Sequence, residues 1–269
     1  MQNRDFQREL GLVPRIPLVC VDEAHCVCEW SHHFRPTYQR LGKYFTNELR
    51  PSCVLALTAT ATEVTRKDIA LSLRIKPEDI IRLNHEHLRA NLQPSISRIS
   101  SASFFERQNA LFDVIQKTVF KRCKSIIVYC SFVRQTESIT GEMRRRGFKV
   151  GCYHGGLSDK ERQRTQDDFL NNKIRIVVAT MAFGLGLDKG DVTGIIHFGL
   201  PKSPEQYIQE IGRAGRNGSQ AYCHAFVDES EYICLRSLAH SNAVDKVLSL
   251  QHLAEIFFTD LLVQRRHLS

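Results

Sequence analysis

Two adjacent carboxylates stand directly after an apolar run near the start of the chain. The run Ile16 to Val21 leads into Asp22 and Glu23, followed by Ala24 and His25. Because α/β sheets bind ligands at the carboxyl ends of their strands, one carboxylate can hold Mg²⁺ while its neighbour orients the attacking water in phosphoryl transfer. The alternative interpretation is a helix N-terminus whose acids complement the helix dipole.

Two arginines occur in a glycine-flanked segment late in the chain, which reads QYIQEIGRAGRNG from Gln206. A helix that begins at a Ser203 cap and continues through this segment places four side chains on one face: Gln206, Gln209, Arg213 and Arg216. Paired guanidiniums stabilise charge on a transferring γ-phosphoryl group, which is the arginine-finger role. The alternative is a surface helix held by salt bridges, in which the flanking glycines would only weaken the helix.

A glycine-containing loop precedes these arginines, in the stretch VVATMAFGLGLD that ends at Asp188. Gly184 and Gly186 would let backbone N–H groups approach a phosphate closely, and Thr180 and Asp188 offer a hydroxyl and a carboxylate nearby. A tight turn would need the same glycines.

Alternating hydroxyls end an early strand, where the chain reads LALTATAT from Leu55 to Thr62. Thr58 and Thr60 could relay hydrogen bonds from the carboxylates toward another part of the protein. The alternative is ordinary helix capping, for which Thr60 and Glu63 have the spacing of a capping box.

An aromatic and basic segment follows the carboxylates and contains the only tryptophan, Trp30, with Phe34 and Arg35. Such a loop suits stacking on unpaired bases, or it anchors itself to its own domain. Histidines and cysteines also gather there, but no C-x-x-C pair is present, so we do not expect a structural zinc site. The nine cysteines are irregularly spaced, which favours reduced thiols in an intracellular protein.

Short apolar runs alternate with longer helical patterns, which predicts an α/β fold with parallel strands and crossover helices. The predicted strands are Ile16 to Val21, Val54 to Leu57, Ile126 to Cys130, Lys149 to Tyr153, Arg175 to Thr180, Gly194 to Phe198 and Ala221 to Val227. Two sheets are expected rather than one. The first group has too few strands to bury its own sheet, so we expect apolar surface to be exposed there.

The chain divides at a polar, serine-rich stretch that contains Pro94. We predict an incomplete first lobe at 1–88, a linker at 89–108, a second lobe at 109–240 and a helical extension at 241–269. A capping box at Ser158 and Glu161 marks a helix start in the second lobe.

Net charge and hydropathy indicate which classes of binding partner the chain favours. The chain has 37 Lys and Arg against 29 Asp and Glu, a formal net charge of +8 and a pI near 9.1, which suits a polyanion. Nine basic and two acidic residues fall between Lys117 and Lys149, although a solvated helix face is the common alternative. No apolar run is long enough for a membrane span, so no membrane partner is expected.

Taken in order, these segments resemble the signature motifs of superfamily two helicases, and specifically of the RecQ family. The resemblance covers nearly the whole chain. It assigns Asp22 to His25 to motif II, Cys26 to Pro36 to the aromatic-rich loop, Leu57 to Ala61 to motif III, Ile126 to Cys130 to motif IV, Tyr153 to Leu157 to a Y-H-x-G-L element, Val177 to Asp188 to motif V, and Gln206 to Arg216 to motif VI. Arg89 to Leu92 is similar to the family's R-x-N-L element.

The resemblance implies two RecA-like lobes with ATP between them, and an ATP- and Mg²⁺-dependent DNA helicase that moves 3′ to 5′. It implies single-stranded and duplex DNA as partners, a nuclear location, and work in replication, recombination and repair. By resemblance, Asp22, Glu23, His25, Arg213 and Arg216 are catalytic, with Asp22 on Mg²⁺. Nucleotide contacts fall to Gln209, Gly184, Gly186 and Asp188, and also to the two arginines Arg213 and Arg216. DNA binding and coupling fall to Trp30, Phe34, Arg35, Thr58, Thr60, His154 and Thr180. An RNA helicase is disfavoured because Gln209 and Glu210 before the glycine and arginine, like the Trp30 loop, resemble RecQ proteins.

Within the family, the stretch His197 to Pro204 and the residues near His240 to Asp245 resemble the fourth RecQ branch, the Rothmund–Thomson type. Two family elements are missing from this sequence: the phosphate-binding loop G-x-x-x-x-G-K-[ST] and a C-R-R zinc segment after motif VI. We therefore expect an N-terminally truncated motor that does not hydrolyse ATP by itself. The alternative is a non-catalytic fragment that binds DNA or serves as a scaffold.

Overall fold

The computed structural model describes residues 16–27, 38, 40–58, 63–81, 89–99, 103–184, 188–202 and 204–228. Contacts divide the chain into two units, Met1–His85 and Glu86–Ser269, and each unit has its own apolar core. None of the helices in these ranges is long and apolar enough to cross a membrane.

The first unit contains a two-stranded parallel sheet, β1 (Leu18–Val21) paired with β2 (Cys53–Ala56). Its helices are α1 (Leu41–Tyr44), which runs into a π-helical turn at Phe45–Leu49, and α2 (Glu63–Leu73), with a 3₁₀ turn at Ala24–Val27 and another at Pro77–Asp79. A small apolar core joins them: Val21, Ala24, Val27, Leu41, Phe45, Ile69 and Leu73.

This sheet is thinly covered, as the sequence predicts. Leu18 is 52% exposed, and Leu55 and Leu57 are also exposed at the sheet. Leu71, on α2, is exposed as well. Two strands with a partial helical cover leave apolar surface in water, which is unfavourable for a parallel sheet.

The second unit is built on a six-stranded, all-parallel sheet in the order β3-β8-β7-β4-β6-β5. The strands are β3 (Leu92–Arg98), β4 (Ser125–Tyr129), β5 (Val150–Tyr153), β6 (Ile176–Ala179), β7 (Val192–His197) and β8 (Ala221–Val227). The helices are α3 (Phe104–Lys117), α4 (Val133–Arg145), α5 (Asp159–Leu170) and α6 (Pro204–Ile211), and a 3₁₀ turn lies at Val119–Arg122. The α/β class with two sheets is confirmed.

Both faces of this sheet are buried, which explains the continuous apolar runs of its strands. Along β4, Ile127 and Tyr129 pack into one core cluster, whereas Ile126 and Val128 pack into the other. Successive side chains of a strand point to opposite faces, so two apolar layers need an unbroken apolar sequence. Helices are thereby held against both faces of the sheet.

The predicted linker at 89–108 is wrong in its local structure, because it contains the edge strand β3 and the start of α3. β3 pairs with β8 over seven residues, from Leu92 opposite Ala221 to Arg98 opposite Val227. Pro94 and the serines are tolerated because an edge strand has one side free of ladder hydrogen bonds. A polar edge strand lacks the apolar run that identified the other strands.

Helix starts agree with the sequence where they are described. Ser158 caps α5, accepting from the backbone N–H of Glu161, whose side chain accepts in return from the N–H of Ser158. This is the predicted capping box. The Ser203 and Thr60 caps fall on residues outside the described ranges.

Candidate functional site

Asp22 and Glu23 lie directly beyond the carboxyl end of β1, where the sequence places them. The backbone N–H of Glu23 donates to Oδ1 of Asp22 at 2.8 Å, and Glu23 has a positive φ of 50°. The backbone N–H of Ala24 donates to the carbonyl of Leu57 at 2.8 Å, which ties this turn to the residues after β2. A positive φ is uncommon for a residue with a side chain and marks a tightly constrained turn.

A histidine links the carboxylate turn to the hydroxyls that follow β2. Nδ1 of His25 lies 3.3 Å from Oε2 of Glu23 and 3.1 Å from Oγ1 of Thr58. Adjacent parallel strands bring these residues together, because β1 and β2 end at the same edge of the sheet. The contact places Thr58 beside the candidate acid cluster, as a relay from the carboxylates requires.

Asp22 offers an exposed carboxylate, one oxygen of which accepts the Glu23 N–H. No cluster of three or more metal-ligating side chains occurs among the described residues. Magnesium ions in nucleotide sites commonly take one or two carboxylates plus phosphate oxygens and water, so a single carboxylate at a strand end fits that cation.

In the second unit, the loop after β6 and the turn after α6 meet at Gly184. Nη1 of Arg213 donates to the carbonyl oxygen of Gly184. Gly184 has φ +114°, and a Cβ built there would collide with the Arg213 guanidinium. Glycine is therefore required here because the guanidinium occupies the place of a side chain.

Tyr129, at the end of β4, completes this contact. Its hydroxyl donates to the carbonyl of Phe183 at 3.3 Å, and the side chain of Arg213 lies beside it. Burial raises the pKa of Tyr129, with Arg213 opposing that shift, so the phenol stays protonated and able to donate. The sequence did not single out Tyr129, because an aromatic within an apolar run has no distinguishing local signal.

The second arginine lies differently. Nη1 of Arg216 is 3.4 Å from Oδ1 of Asp188, and the Asp188 side chain is 92% exposed while that of Arg216 is 37% exposed. Arg213 is only 8% exposed. Arg213 is therefore buried against the loop after β6, whereas Arg216 reaches solvent beside the exposed carboxylate of Asp188.

The predicted continuous helix through the arginines is wrong. α6 ends at Ile211, residues 212–217 form turns, and Gly215 has φ +61°. Arg213 and Arg216 consequently do not share a helical face with Gln206 and Gln209. The glycines break the helix, which is the effect that their low helix propensity favours.

Buried polar contacts anchor α6 to the sheet. Nε2 of His197, at the end of β7, lies 2.8 Å from Oε2 of Glu210, and both side chains are buried. Nε2 of Gln206 donates to the other Glu210 oxygen at 2.8 Å, and the N–H of Lys202 donates to Oε1 of Gln206 at 3.2 Å. Buried hydrogen bonds of this kind fix the helix at one position, since removing one partner leaves the other unpaired.

Three further predicted residues lie in the second unit. His154 is buried, its Nδ1 accepts from the N–H of Gly156 at 3.2 Å, and Nε2 lies 3.4 Å from Oε1 of Glu137. Thr180 and Gln209 are half-buried. The His154 ring thus shapes its own turn and offers little surface to a ligand.

Ion pairs occupy part of the basic window at 117–149. Arg145 and Arg146 both contact Glu142, and Nζ of Lys117 lies 2.8 Å from Asp113. Hydrogen bonds from both arginines lower the pKa of Glu142. Exposed lysines and arginines remain at 121, 122, 124, 134, 144 and 149. Much of the local charge excess therefore belongs to a solvated face.

Five predicted site residues lie outside the described residues: Trp30, Phe34, Arg35, Thr60 and Gly186. So do Cys28, His32 and His33 of the cysteine and histidine cluster, and the predicted extension at 241–269.

The family model described as "Helicase conserved C-terminal domain" matches residues 107–218. The match runs from within α3 to the turn after α6, and so includes both arginines and the loop that they contact.

Curated proteins resemble nearly the whole chain. It is 47% identical over 259 residues to "ATP-dependent DNA helicase Q-like 5" of Arabidopsis thaliana, covering 96% of this chain and 28% of that protein. It is 36% identical to human "ATP-dependent DNA helicase Q4", covering 91% of this chain and 21% of that protein. The chain therefore spans only about a quarter of the length of these relatives.

A solved structure has a fold similar to that of this chain. Dbp5 of Saccharomyces cerevisiae, bound to RNA and ADP BeF3, matches with a TM-score of 0.67 at 20% identity, covering 87% of this chain and 59% of that one. At this identity the likeness concerns the fold alone.

Proposed function

Because the chain belongs to the RecQ-like family of ATP-dependent helicases, with Q4 helicases among its relatives, we propose that it supplies the hydrolysis and arginine motifs of a DNA helicase. The observation that carries the proposal is the loop-and-turn contact in the second unit, where Arg213 is seated on Gly184 and Arg216 reaches solvent. An exposed arginine would also serve a DNA-binding module, but such a module has no need of the carboxylate pair Asp22 and Glu23.

Arg216 is the proposed arginine finger. Its partner Asp188 is almost fully exposed, and an ion pair in water contributes little stability, so a phosphate can displace that carboxylate at small cost. A guanidinium held near a transferring γ-phosphoryl group stabilises the charge that develops there. Arg213, already bound to the Gly184 carbonyl, supports the loop, and its Nε has no hydrogen-bond partner among the described residues.

In the first unit, we assign Glu23 to orienting the attacking water and Asp22 to holding Mg²⁺. The cation, when bound, neutralises charge on the β- and γ-phosphates. His25 contacts both Glu23 and Thr58, so a change at the carboxylate is passed to the hydroxyl that follows β2. Gln209, Gly184, Gly186 and Asp188 remain the proposed nucleotide contacts of the second unit.

DNA contact is assigned to the aromatic-rich loop with Trp30, Phe34 and Arg35, because aromatic and basic side chains together stack on and neutralise single strands. Thr58, Thr60, Thr180 and His154 are the proposed coupling residues, and for His154 burial favours an indirect role. We further propose 3′ to 5′ movement, unwinding of duplex DNA in replication, recombination and repair, and a nuclear location.

The test requires a phosphate-binding loop, which this sequence lacks. We define the P-loop-bearing form as this chain preceded by a family segment that contains G-x-x-x-x-G-K-[ST]. The chain alone should show no measurable ATP hydrolysis, whereas the P-loop-bearing form should hydrolyse ATP faster when single-stranded DNA is added. RNA should stimulate it less. Robust turnover by the chain alone would contradict the proposed dependence on the loop.

Glu23→Gln in the P-loop-bearing form should abolish hydrolysis and leave DNA affinity unchanged in fluorescence anisotropy, since the carboxylate acts on water and not on DNA. Loss of both activities would argue against this role for Glu23.

The missing loop also keeps a second function open, a non-catalytic DNA-binding or scaffold fragment. Anisotropy with labelled single-stranded DNA tests it on the chain itself. Tight binding by the chain, together with a P-loop-bearing form that remains inactive, would favour this second function.

A further inference from the structure

The turn that carries both arginines is held by residues from the start of the second unit. Nη2 of Arg89 donates to the carbonyls of Gly212 at 2.8 Å and Ala214 at 2.6 Å, and Nη1 donates to that of Gly215 at 3.2 Å. One guanidinium thus binds three carbonyl oxygens of a single turn. The fork geometry of arginine suits this arrangement because its donors lie on separate nitrogens, whereas lysine has its donors on a single nitrogen.

Asn91 adds a second hold on the same turn. Its Nδ2 donates to the carbonyls of Gly215 at 2.8 Å and Ser219 at 2.7 Å, and the backbone carbonyl of Asn91 accepts from the N–H of Ala221 at 2.9 Å. Both donors of the amide are therefore used. We call Arg89 and Asn91 together the carbonyl clamp.

The clamp supplies hydrogen-bond partners for backbone carbonyls that a longer helix would otherwise satisfy. α6 ends at Ile211, and the last carbonyls of a helix lack intrahelical partners. Here a guanidinium and an amide more than 120 residues away in sequence bind the carbonyls that follow the helix. The turn can therefore leave helical geometry without exposing unsatisfied backbone groups.

Packing at Gly215 shows how closely the clamp fits. A Cβ built on Gly215 would lie 2.5 Å from Nδ2 of Asn91 and 2.8 Å from the Ser219 carbonyl. The N–H of Gly215 donates to the carbonyl of Val192 at 2.8 Å, which fixes the turn to β7 as well. The turn is thus held by a strand on one side and by the clamp on the other.

From this geometry we propose that Arg89 and Asn91 are positioning residues for the arginine motif: they set the backbone of residues 212–219 and so the direction of Arg216. The three carbonyls that Arg89 binds belong to residues beside Arg213 and between it and Arg216. The proposal rests on the assignment of Arg216 as the arginine finger.

The clamp also stands at the boundary between the two units. The second unit begins at Glu86, three residues before Arg89, and Asn91 is followed at once by β3. Both clamp residues therefore come directly before the edge strand of the second unit's sheet.

The test uses Arg89→Lys and Asn91→Asp. The first keeps the charge but replaces the two terminal nitrogens of the guanidinium fork with one, and the second keeps the side-chain size and removes both amide N–H donors. The matched control is Arg175→Lys, because Arg175 also binds backbone carbonyls, donating from Nε to Cys123 at 2.9 Å and from Nη2 to Lys121 at 2.9 Å. The hydrogen bonds of Arg175 hold a turn before β4, and this turn contains no proposed site residue. A general loss of stability would affect both arginine variants alike.

On the chain itself, hydrogen exchange should become faster at residues 212–219 in Arg89→Lys and Asn91→Asp, and at residues 120–124 in Arg175→Lys. In the P-loop-bearing form, the first two variants should lower kcat about 10- to 100-fold and change the KM for ATP little, because small misplacements of a catalytic group have effects of this size. Arg175→Lys should leave kcat within about twofold of the unsubstituted form.

Unchanged exchange at residues 212–219, or an equal fall of kcat in Arg89→Lys and Arg175→Lys, would overturn the clamp proposal. Failure of the proposed function gives a different result, namely an inactive P-loop-bearing form before any substitution. The exchange measurement on the chain would then still decide whether the clamp holds the turn.

Discussion

The guanidinium of Arg213 donates a hydrogen bond to the carbonyl of Gly184, 29 residues earlier in the chain, and occupies the space that a side chain at position 184 would fill. This relationship makes one glycine and one arginine a single structural feature. Gly184, in the loop after β6, is needed because a side chain there would displace the Arg213 guanidinium. This requirement is separate from any close approach of the backbone to a phosphate.

We predict that Gly184→Ala destabilises the second unit by about 2–4 kcal/mol. About 1 kcal/mol or more arises from the positive φ, and displacement of a buried guanidinium from its acceptor adds about 1–3 kcal/mol. Urea unfolding of the chain measures the change. In the P-loop-bearing form, hydrolysis should fall as well, because the loop and the turn lose their contact.

Gly147→Ala is the matched control. Gly147 has φ +82°, and among the described residues no heavy atom outside its own neighbourhood lies within 4 Å of the place that a Cβ would take. The substitution therefore brings backbone strain without a clash, and it should cost about 1 kcal/mol. Equal destabilisation by the two substitutions would show that Arg213 contributes nothing at Gly184.

Thr58→Val should lower the number of base pairs separated per ATP more than it lowers the rate of ATP hydrolysis. The change removes the hydroxyl that lies 3.1 Å from Nδ1 of His25 and keeps the side-chain shape. Loss of one such hydrogen bond corresponds to about 3- to 10-fold in rate, so base pairs separated per ATP should fall by that factor in the P-loop-bearing form. A strand-separation assay run alongside an ATPase assay measures both quantities.

Thr46→Val serves as its control, because the Thr46 hydroxyl donates to the carbonyl of Gly42 within the same unit, at 2.9 Å. That variant should leave coupling unchanged. If both valine substitutions reduce unwinding equally, Thr58 has no special part in it.

Acid should destabilise the second unit through His224. Burial, and to a lesser degree the nearby His197, lower the pKa of His224 from 6.5 to about 4. The unfolded chain therefore binds a proton between these pH values that the folded chain does not, and stability falls as pH decreases from 6.5 to 4. The full effect is about 3 kcal/mol, since one pKa unit corresponds to about 1.4 kcal/mol.

His224→Gln removes the titrating ring and should flatten the pH dependence of the unfolding free energy in this window. Ser95→Ala, which removes only the hydroxyl 2.8 Å from Nδ1 of His224, should retain the slope. An unchanged slope in His224→Gln would mean that another group is responsible.

Residues 1–88 expressed alone should aggregate. Leu18, Leu55 and Leu57 are exposed on or beside a two-stranded sheet, and exposed apolar patches associate in water. Replacing these three leucines with lysine should raise the monomeric fraction in size-exclusion chromatography. A soluble monomer of the unsubstituted fragment would contradict the prediction.

Much of the fold could be predicted from local patterns. Buried parallel strands have continuous apolar runs, so β4, predicted at Ile126 to Cys130, is found at Ser125–Tyr129, and β8 is found with its predicted bounds. The Ser158 cap was equally accessible, because all of its groups lie within four residues. The edge strand β3 was missed because a strand with one free side needs no apolar run.

The sequence by itself determined the parallel α/β class, the order of the motifs and the residue types that could act on a phosphate, since these depend on neighbours along the chain. Only the tertiary structure decided that α6 stops at Ile211 and that Arg213 is buried while Arg216 reaches solvent. The physical reason is that the carbonyls after Ile211 bind Arg89 and Asn91, 123 to 128 residues away, and helical periodicity contains no information about such partners.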